Sequence, residues 1–235
     1  MQTIMITGSN RGIGLALVKE HLKLEDVHVF ATCRNPQSAS DLQALKSAYP
    51  DALSIVKLDV NNNLSIETAQ ATVASQTDHL DLLINNAGIF PRDAENTVLG
   101  QLERDEISHV VTTNSVSPVM VTQAFAGLLK QGNNPRVVMV SSQMGSIERA
   151  GSSGLSYRMS KAAMNMASKV LSQMLASDGI TVITTHPGHV ATDMGGASAP
   201  VTPEQSAAGL AKVAAKLTPQ QTGKFYGYDG SELPW

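Results

Sequence analysis

Tyr157 and Lys161 stand four residues apart in the run Ser156-Tyr157-Arg158-Met159-Ser160-Lys161. On a helix that spacing puts a phenol and an ammonium on one face, with Cβ atoms about 5–6 Å apart. A free phenol has a pKa of about 10 and keeps its proton at neutral pH. A cation beside it favours the phenolate, so such a phenol can exchange a proton near neutrality. The same pair is common on solvated helix faces, so it carries chemistry only in company. The company lies near the N-terminus, where an apolar strand runs into Thr7-Gly8-Ser9-Asn10-Arg11-Gly12-Ile13-Gly14. Glycines let the backbone turn sharply and approach a pyrophosphate, and the following helix offers free N–H groups to its oxygens. The spacing is GxxxGxG rather than GxGxxG. A proton donor and a seat for a hydride carrier together imply carbonyl–alcohol oxidoreduction.

The second strand ends at Thr32-Cys33-Arg34-Asn35. An acidic residue near this point suits the ribose 2′-hydroxyl of NAD, whereas an arginine suits a 2′-phosphate. Arg34 and Arg11 occupy these places, and neither place holds Asp or Glu. Two guanidiniums near one phosphate favour NADP(H) through charge-assisted bonds.

The elements that must position these groups are legible in the hydrophobic pattern. Short apolar runs near 2–7, 27–33, 53–58, 80–85, 135–141, 180–186 and 222–227 predict strands. Helical periodicity falls near 12–23, 37–48, 64–77, 101–112, 115–131, 156–177 and 204–216. This alternation predicts an α/β doubly wound Rossmann fold, with seven mainly parallel strands and helices on both faces. Ile4-Met5-Ile6 and Val137-Val138-Met139-Val140 are apolar without alternation, as strands buried on both sides should be. A chain of 235 residues suits one domain spanning 1–235. The Gly-, Ala-, Ser- and Pro-rich stretch 190–203 reads as a flexible loop over the site.

Composition excludes several partners. The net charge is −3 and no basic block appears, which argues against nucleic acid. No apolar stretch reaches the ~18 residues of a membrane span, and no signal peptide is recognisable. The single cysteine, Cys33, cannot pair internally, so a cytoplasmic location is expected. No HExxH or CxxC pattern appears, so no metal is expected.

The ordered motifs resemble the short-chain dehydrogenase/reductase family over nearly the whole chain. Residues 7–14 resemble its cofactor turn, with Gly8, Asn10, Arg11, Gly12, Ile13 and Gly14 as contacts. Asp59-Val60 resembles its adenine contact, and Asn86, Ala87 and Gly88 belong to an NNAG motif. Asn114 and Ser142 fall on its catalytic Asn and Ser, and Tyr157 and Lys161 on its YxxxK. Pro187, Gly188, Val190 and Thr192 look like its PG…T clasp on the cofactor. The ending Phe225–Trp235 and the run Thr192-Asp193-Met194-Gly195-Gly196 look most like the small carbonyl-reductase branch that includes Sniffer and C-factor proteins. His189 departs from that branch, which often carries an aromatic there.

The resemblance implies a division of labour. Tyr157 would donate a proton to the carbonyl oxygen as hydride arrives, and Ser142 would hold that oxygen. Lys161 would lower the phenol pKa and bond the nicotinamide ribose. Asn114 would hold a water that links Lys161 to solvent, though it could equally bond backbone where a helix bends. Substrate choice would depend on residues 89–100, 143–155 and 190–203, with Met144 and Met194 lining the pocket. A mobile loop of small residues predicts an open pocket and a broad range of small carbonyl or alcohol substrates. Family members often pair through the helices corresponding to 101–131 and 156–177, so a homo-oligomer is a further expectation. Two other functions stay open at this point: a regulatory protein that uses NADP(H) to hold its shape, and an epimerase or dehydratase.

Overall fold

The computed structural model describes residues 1–91 and 99–235. Its strands are β1 (Gln2–Ile6), β2 (Val27–Cys33), β3 (Leu53–Lys57), β4 (Leu82–Asn85), β5 (Arg136–Val140), β6 (Thr181–His186) and β7 (Phe225–Gly227). They form one sheet in the order β3-β2-β1-β4-β5-β6-β7, and every neighbouring pair is parallel. The helices are α1 (Gly12–His21), α2 (Ser40–Ala48), α3 (Asn63–Ala74), α4 (Arg104–Val111), α5 (Ser117–Leu129), α6 (Leu155–Met174) and α7 (Pro203–Ala215).

Successive strand side chains feed two cores. Ile4, Ile6, Val138 and Val140 pack with Leu17 and Val18 of α1, Leu42 of α2 and Leu210 of α7. Met5, Val137 and Met139 point the other way, onto Ile66 of α3, Val121 and Phe125 of α5 and Met164 of α6. Burial on both faces is why these strands lack a polar period. The expected β7 at 222–227 starts late, because Gly223 turns with φ +75° and its amide bonds the Val182 carbonyl.

The strand order reverses between β1 and β4, and there the crevice for a ligand opens at the carboxyl ends of the strands. A compact polar knot holds its floor. Thr7 Oγ1 accepts from the backbone amides of Asn86 and Ala87, each at 3.0 Å. The Asn86 side chain donates back to the Thr7 and Gly8 carbonyls at 2.9 and 3.1 Å. Glycine is required because the two turns touch. A Cβ on Gly8, at φ +67°, would lie 2.9 Å from Ala87 Cα, and one on Gly14 would lie 2.2 Å from the Gly8 carbonyl oxygen.

The expected helices 101–112 and 115–131 are not separate. A π-helical turn, Thr112–Val116, joins α4 to α5 without a break in direction. Pro118 supplies the reason: it has no N–H to return to the carbonyl of Asn114, four residues earlier.

Thr7→Val deletes the acceptor of two half-buried amides while keeping the side-chain shape. Urea unfolding should show a loss of about 1–3 kcal/mol. Unchanged stability would mean that the knot does not hold β1 to β4.

Candidate active site

Two strand ends and one helix bring the chemistry together. Ser142 follows β5 and caps a single helical turn, Gln143–Gly145, with its Oγ accepting from the Met144 amide at 3.1 Å. That turn lies against α6, where a Cβ on Gly145 would come within 2.7 Å of the Lys161 backbone. Asn165 ties the junction, because its amide donates to the Gly145 carbonyl at 3.1 Å and its Oδ1 accepts from Ser141 Oγ at 2.6 Å. Tyr157 and Lys161 face the same cavity from α6, as their spacing requires.

Both side chains are buried, and burial sets their acidity. The Tyr157 phenol is pushed up to about 12 by desolvation, and the adjacent Ser142 side chain pulls against that shift. The Lys161 ammonium is pushed down to about 8, again by desolvation. The phenol thus stands above its ordinary value, where the sequence led to the expectation of one lowered by Lys161. Lys161 Nζ donates to the Val140 carbonyl at 2.9 Å and sits 5.7 Å from the Tyr157 ring centroid. Its charge is spent on β5, and desolvation dominates the phenol.

Asn114 is fully buried in the π-helical turn. Its Oδ1 accepts from the Ile89 amide and its Nδ2 donates to the Ile89 carbonyl, both at 2.8 Å, with a third bond to Ser160 Oγ at 3.0 Å. The side chain thus clasps the loop after β4 to α6. Gly88 passes close beneath, with room at its Cα of only 3.1 Å to Asn114 Oδ1 for an added Cβ.

The cavity is about 760 Å³. Of the residues expected to meet a cofactor, Gly8, Asn10, Arg11, Gly12, Ile13, Gly14, Arg34, Asp59, Val60, Asn86, Ala87, Gly88, Tyr157, Lys161, Pro187 and Thr192 all line it. Gly188 and Val190 do not. Gly188, at φ +90°, packs toward Tyr228 and Val201, and Val190 pairs with Val201. Both shape the loop behind the lining. Asp59 Oδ1 accepts from the Asn61 amide at 3.0 Å, which fixes the turn after β3.

Arg11 lines the cavity, and its guanidinium forms an exposed ion pair with Asp193, which lines it too. Among the described residues, Arg34 has no carboxylate within ion-pair range. Met194 lines the cavity but Met144 does not; its methyl lies under Gly154 instead. The 190–203 loop is tied at its base by the Ala191 amide on the Val201 carbonyl at 2.8 Å, and at its tip by His189 Nε2 and the Gly195 carbonyl at 2.8 Å. Residues 92–98 of the expected substrate loop lie outside the described residues.

Sequence reading missed Phe90, whose ring meets that of Tyr157 at 4.8 Å between centroids. It also missed Cys33, Asn61 and His109 in the lining. A signal existed only for Asn165, a polar residue one turn beyond Lys161 on the same face. Among the described residues no cluster of His, Cys, Asp or Glu could hold a metal ion, and no helix is long and apolar enough to cross a membrane.

The fold and the site define an oxidoreductase, and comparison with known proteins says of which kind. The chain belongs to the short chain dehydrogenase family, whose model matches residues 2–201. An uncharacterized oxidoreductase of Schizosaccharomyces pombe is 36% identical over 248 residues, which cover 98% of this chain and 96% of that protein. The NADPH-bound carbonyl reductase from chicken fatty liver superposes with a TM-score of 0.92 at 37% identity, covering 100% of this chain and 99% of that one. The carbonyl reductase Sniffer of D. melanogaster does so with a TM-score of 0.94 at 35% identity, covering both chains fully.

The amine of Lys161 falls from the usual 10.5 to about 8 on folding. Between those values the unfolded chain holds the extra proton, so this group makes stability rise with pH from about 8 to about 10.5. Lys161→Met removes that rise. In the cofactor-free proteins, the variant's stability relative to wild type should fall by about 1.4 kcal/mol per pH unit across that window. A gap that does not move with pH would show that Lys161 is not desolvated.

Proposed function

We propose that the protein is an NADPH-dependent carbonyl reductase in which Tyr157 is the general acid. One observation carries this reading: the Tyr157–Lys161 face of α6 and the glycine turn after β1 line the same cavity. The residues present fit the cofactor. Gly8, Gly12 and Gly14 line the cavity without side chains, so the backbone of the turn itself can approach a diphosphate. The residue before α1, Arg11, makes no side-chain cap, which leaves first-turn amides for a diphosphate. Arg34 lies at the cavity wall, suited to a 2′-phosphate. Asp59 and Val60 would meet the adenine, Asn86, Ala87 and Gly88 would support the middle of the cofactor, and Pro187 and Thr192 would close on the nicotinamide end.

A reduced nicotinamide bound there supplies a hydride to the carbonyl carbon. As negative charge grows on the carbonyl oxygen, the Tyr157 O–H bond breaks and its proton moves to that oxygen. A phenol held near 12 keeps its proton at every physiological pH, which suits an acid rather than a base. Ser142 Oγ donates to the same oxygen and fixes its position. The phenolate left behind recovers a proton from Lys161, whose value near 8 lets it lose and regain one close to neutrality. Pro118 leaves the Asn114 carbonyl without its usual amide, which suits it to hold a water that reprotonates Lys161.

Tyr157→Phe tests the mechanism. Turnover of aldehydes and ketones should fall at least ~10²–10⁴-fold while NADPH binding, followed by fluorescence, survives. Retained turnover would remove Tyr157 from the chemistry. Cofactor choice is tested separately by kcat/KM with NADPH and NADH. Wild type should prefer NADPH, and Arg34→Asp should narrow or reverse that preference, because a carboxylate repels the 2′-phosphate and accepts from a ribose hydroxyl. An unchanged ratio would place the phosphate elsewhere.

A further inference from the structure

A second cleft of about 240 Å³ opens at the opposite end of the sheet, between α1 and α7. It lies at the amino ends of β1, β4 and β5, where Gln2, Leu82 and Arg136 begin their strands. Arg136 forms part of its floor and is 6% exposed. A guanidinium carries five N–H donors. Here Nη1 donates to the Ala214 carbonyl at 3.0 Å, and the buried Nε has no partner. No carboxylate of the described residues lies within ion-pair range of it. Asp81 supports its charge only from beyond that range and is committed to the amides of Thr3 and Asn133 at 2.7 and 2.6 Å. His21 also lines the cleft. It is 4% exposed, and neither ring nitrogen has a partner.

A buried guanidinium without a counter-ion and an imidazole without a hydrogen bond are each costly on their own. Together, facing one cleft, they describe half of a site. Lys212 adds a second cation at its edge. Besides Gln2 and Glu20, the rest of the lining is apolar: Leu24 and Leu82, and Ala208, Ala211 and Ala215 of α7, whose small side chains leave the space. We propose that this cleft binds a small monocarboxylate with a short apolar body. The carboxylate would take the Arg136 guanidinium, with Lys212 at the edge, and the hydrocarbon would lie along the alanine face. Burial drives the His21 imidazole down to about 4, so it is neutral and adds no charge to the wall. Glu20 on the rim and the carboxyl ends of α1 and α7 oppose every anion and a dianion most, so the cleft suits a single carboxylate held by Arg136 and Lys212.

Thermal unfolding in sodium butyrate, with sodium chloride at equal ionic strength as reference, tests the proposal. At about ten times its dissociation constant butyrate should raise Tm by about 3–5 °C over chloride. Arg136→Gln should abolish the shift. Ala211→Leu, which fills the cleft from its half-open side, should abolish it too and keeps the test decisive if Arg136→Gln does not fold. Both shifts are read without cofactor or carbonyl substrate, so the outcome is independent of the reductase reading. No shift over chloride in wild type would leave Arg136 as a cap on α7 and overturn the site. A shift that survives Ala211→Leu would place the butyrate elsewhere and overturn it equally. Phosphate matching butyrate would indicate an adventitious anion only.

Discussion

The close approach of the first turn to the end of β4 governs the rest of this structure. Two backbones can meet there only because Gly8 and Gly14 carry no side chain, and they stay together because Thr7 and Asn86 bond each other's main chain. Where β1 and β4 part company, their following helices leave on opposite faces, and the crevice between them is the cavity.

Ser142, Tyr157 and Lys161 are held in place by packing and hydrogen bonds around them. Gly145 lets the turn after β5 lie on α6, and Asn165 ties the two with bonds in both directions. Asn114 does the same for the loop after β4, from a helical turn widened because Pro118 lacks an amide. The result is a dry corner in which a phenol is driven up and an ammonium down by the same desolvation. Their values move apart from ordinary values of 10.0 and 10.5, because burial disfavours the charged form of each, an anion in one case and a cation in the other. A bound cofactor would change the polarity of that corner, so the acidity of both groups is tied to occupancy of the cavity.

Much of this was readable in the chain. The alternation of apolar runs with helical periods predicted seven strands and their helices, because burial on two faces leaves an unmistakable absence of polar residues in β1 and β5. Tyr157 and Lys161 were identifiable because a helix repeats nearly every four residues, a local rule that needs no fold. The glycine turn was identifiable for a similar reason, since strand, turn and helix are contiguous. The short chain dehydrogenase membership rests on these same local signals in order, and it agrees with the family match over residues 2–201.

What the sequence could not determine depends on contacts between distant segments. The pairing of Arg11 with Asp193 spans 182 residues, and it alters what charge the cavity mouth presents. The stacking of Phe90 on Tyr157, the turn of Lys161 toward Val140 and the withdrawal of Met144 toward Gly154 are likewise choices made by packing. The lone guanidinium of Arg136 shows the limit most clearly: in the sequence it is an ordinary arginine at the start of a strand, and only the assembled sheet reveals that it is buried on the same cleft wall as His21 without a carboxylate in ion-pair range. Periodicity and turn chemistry are written residue by residue. Desolvation is not, because how much water a side chain loses is set by everything that folds against it.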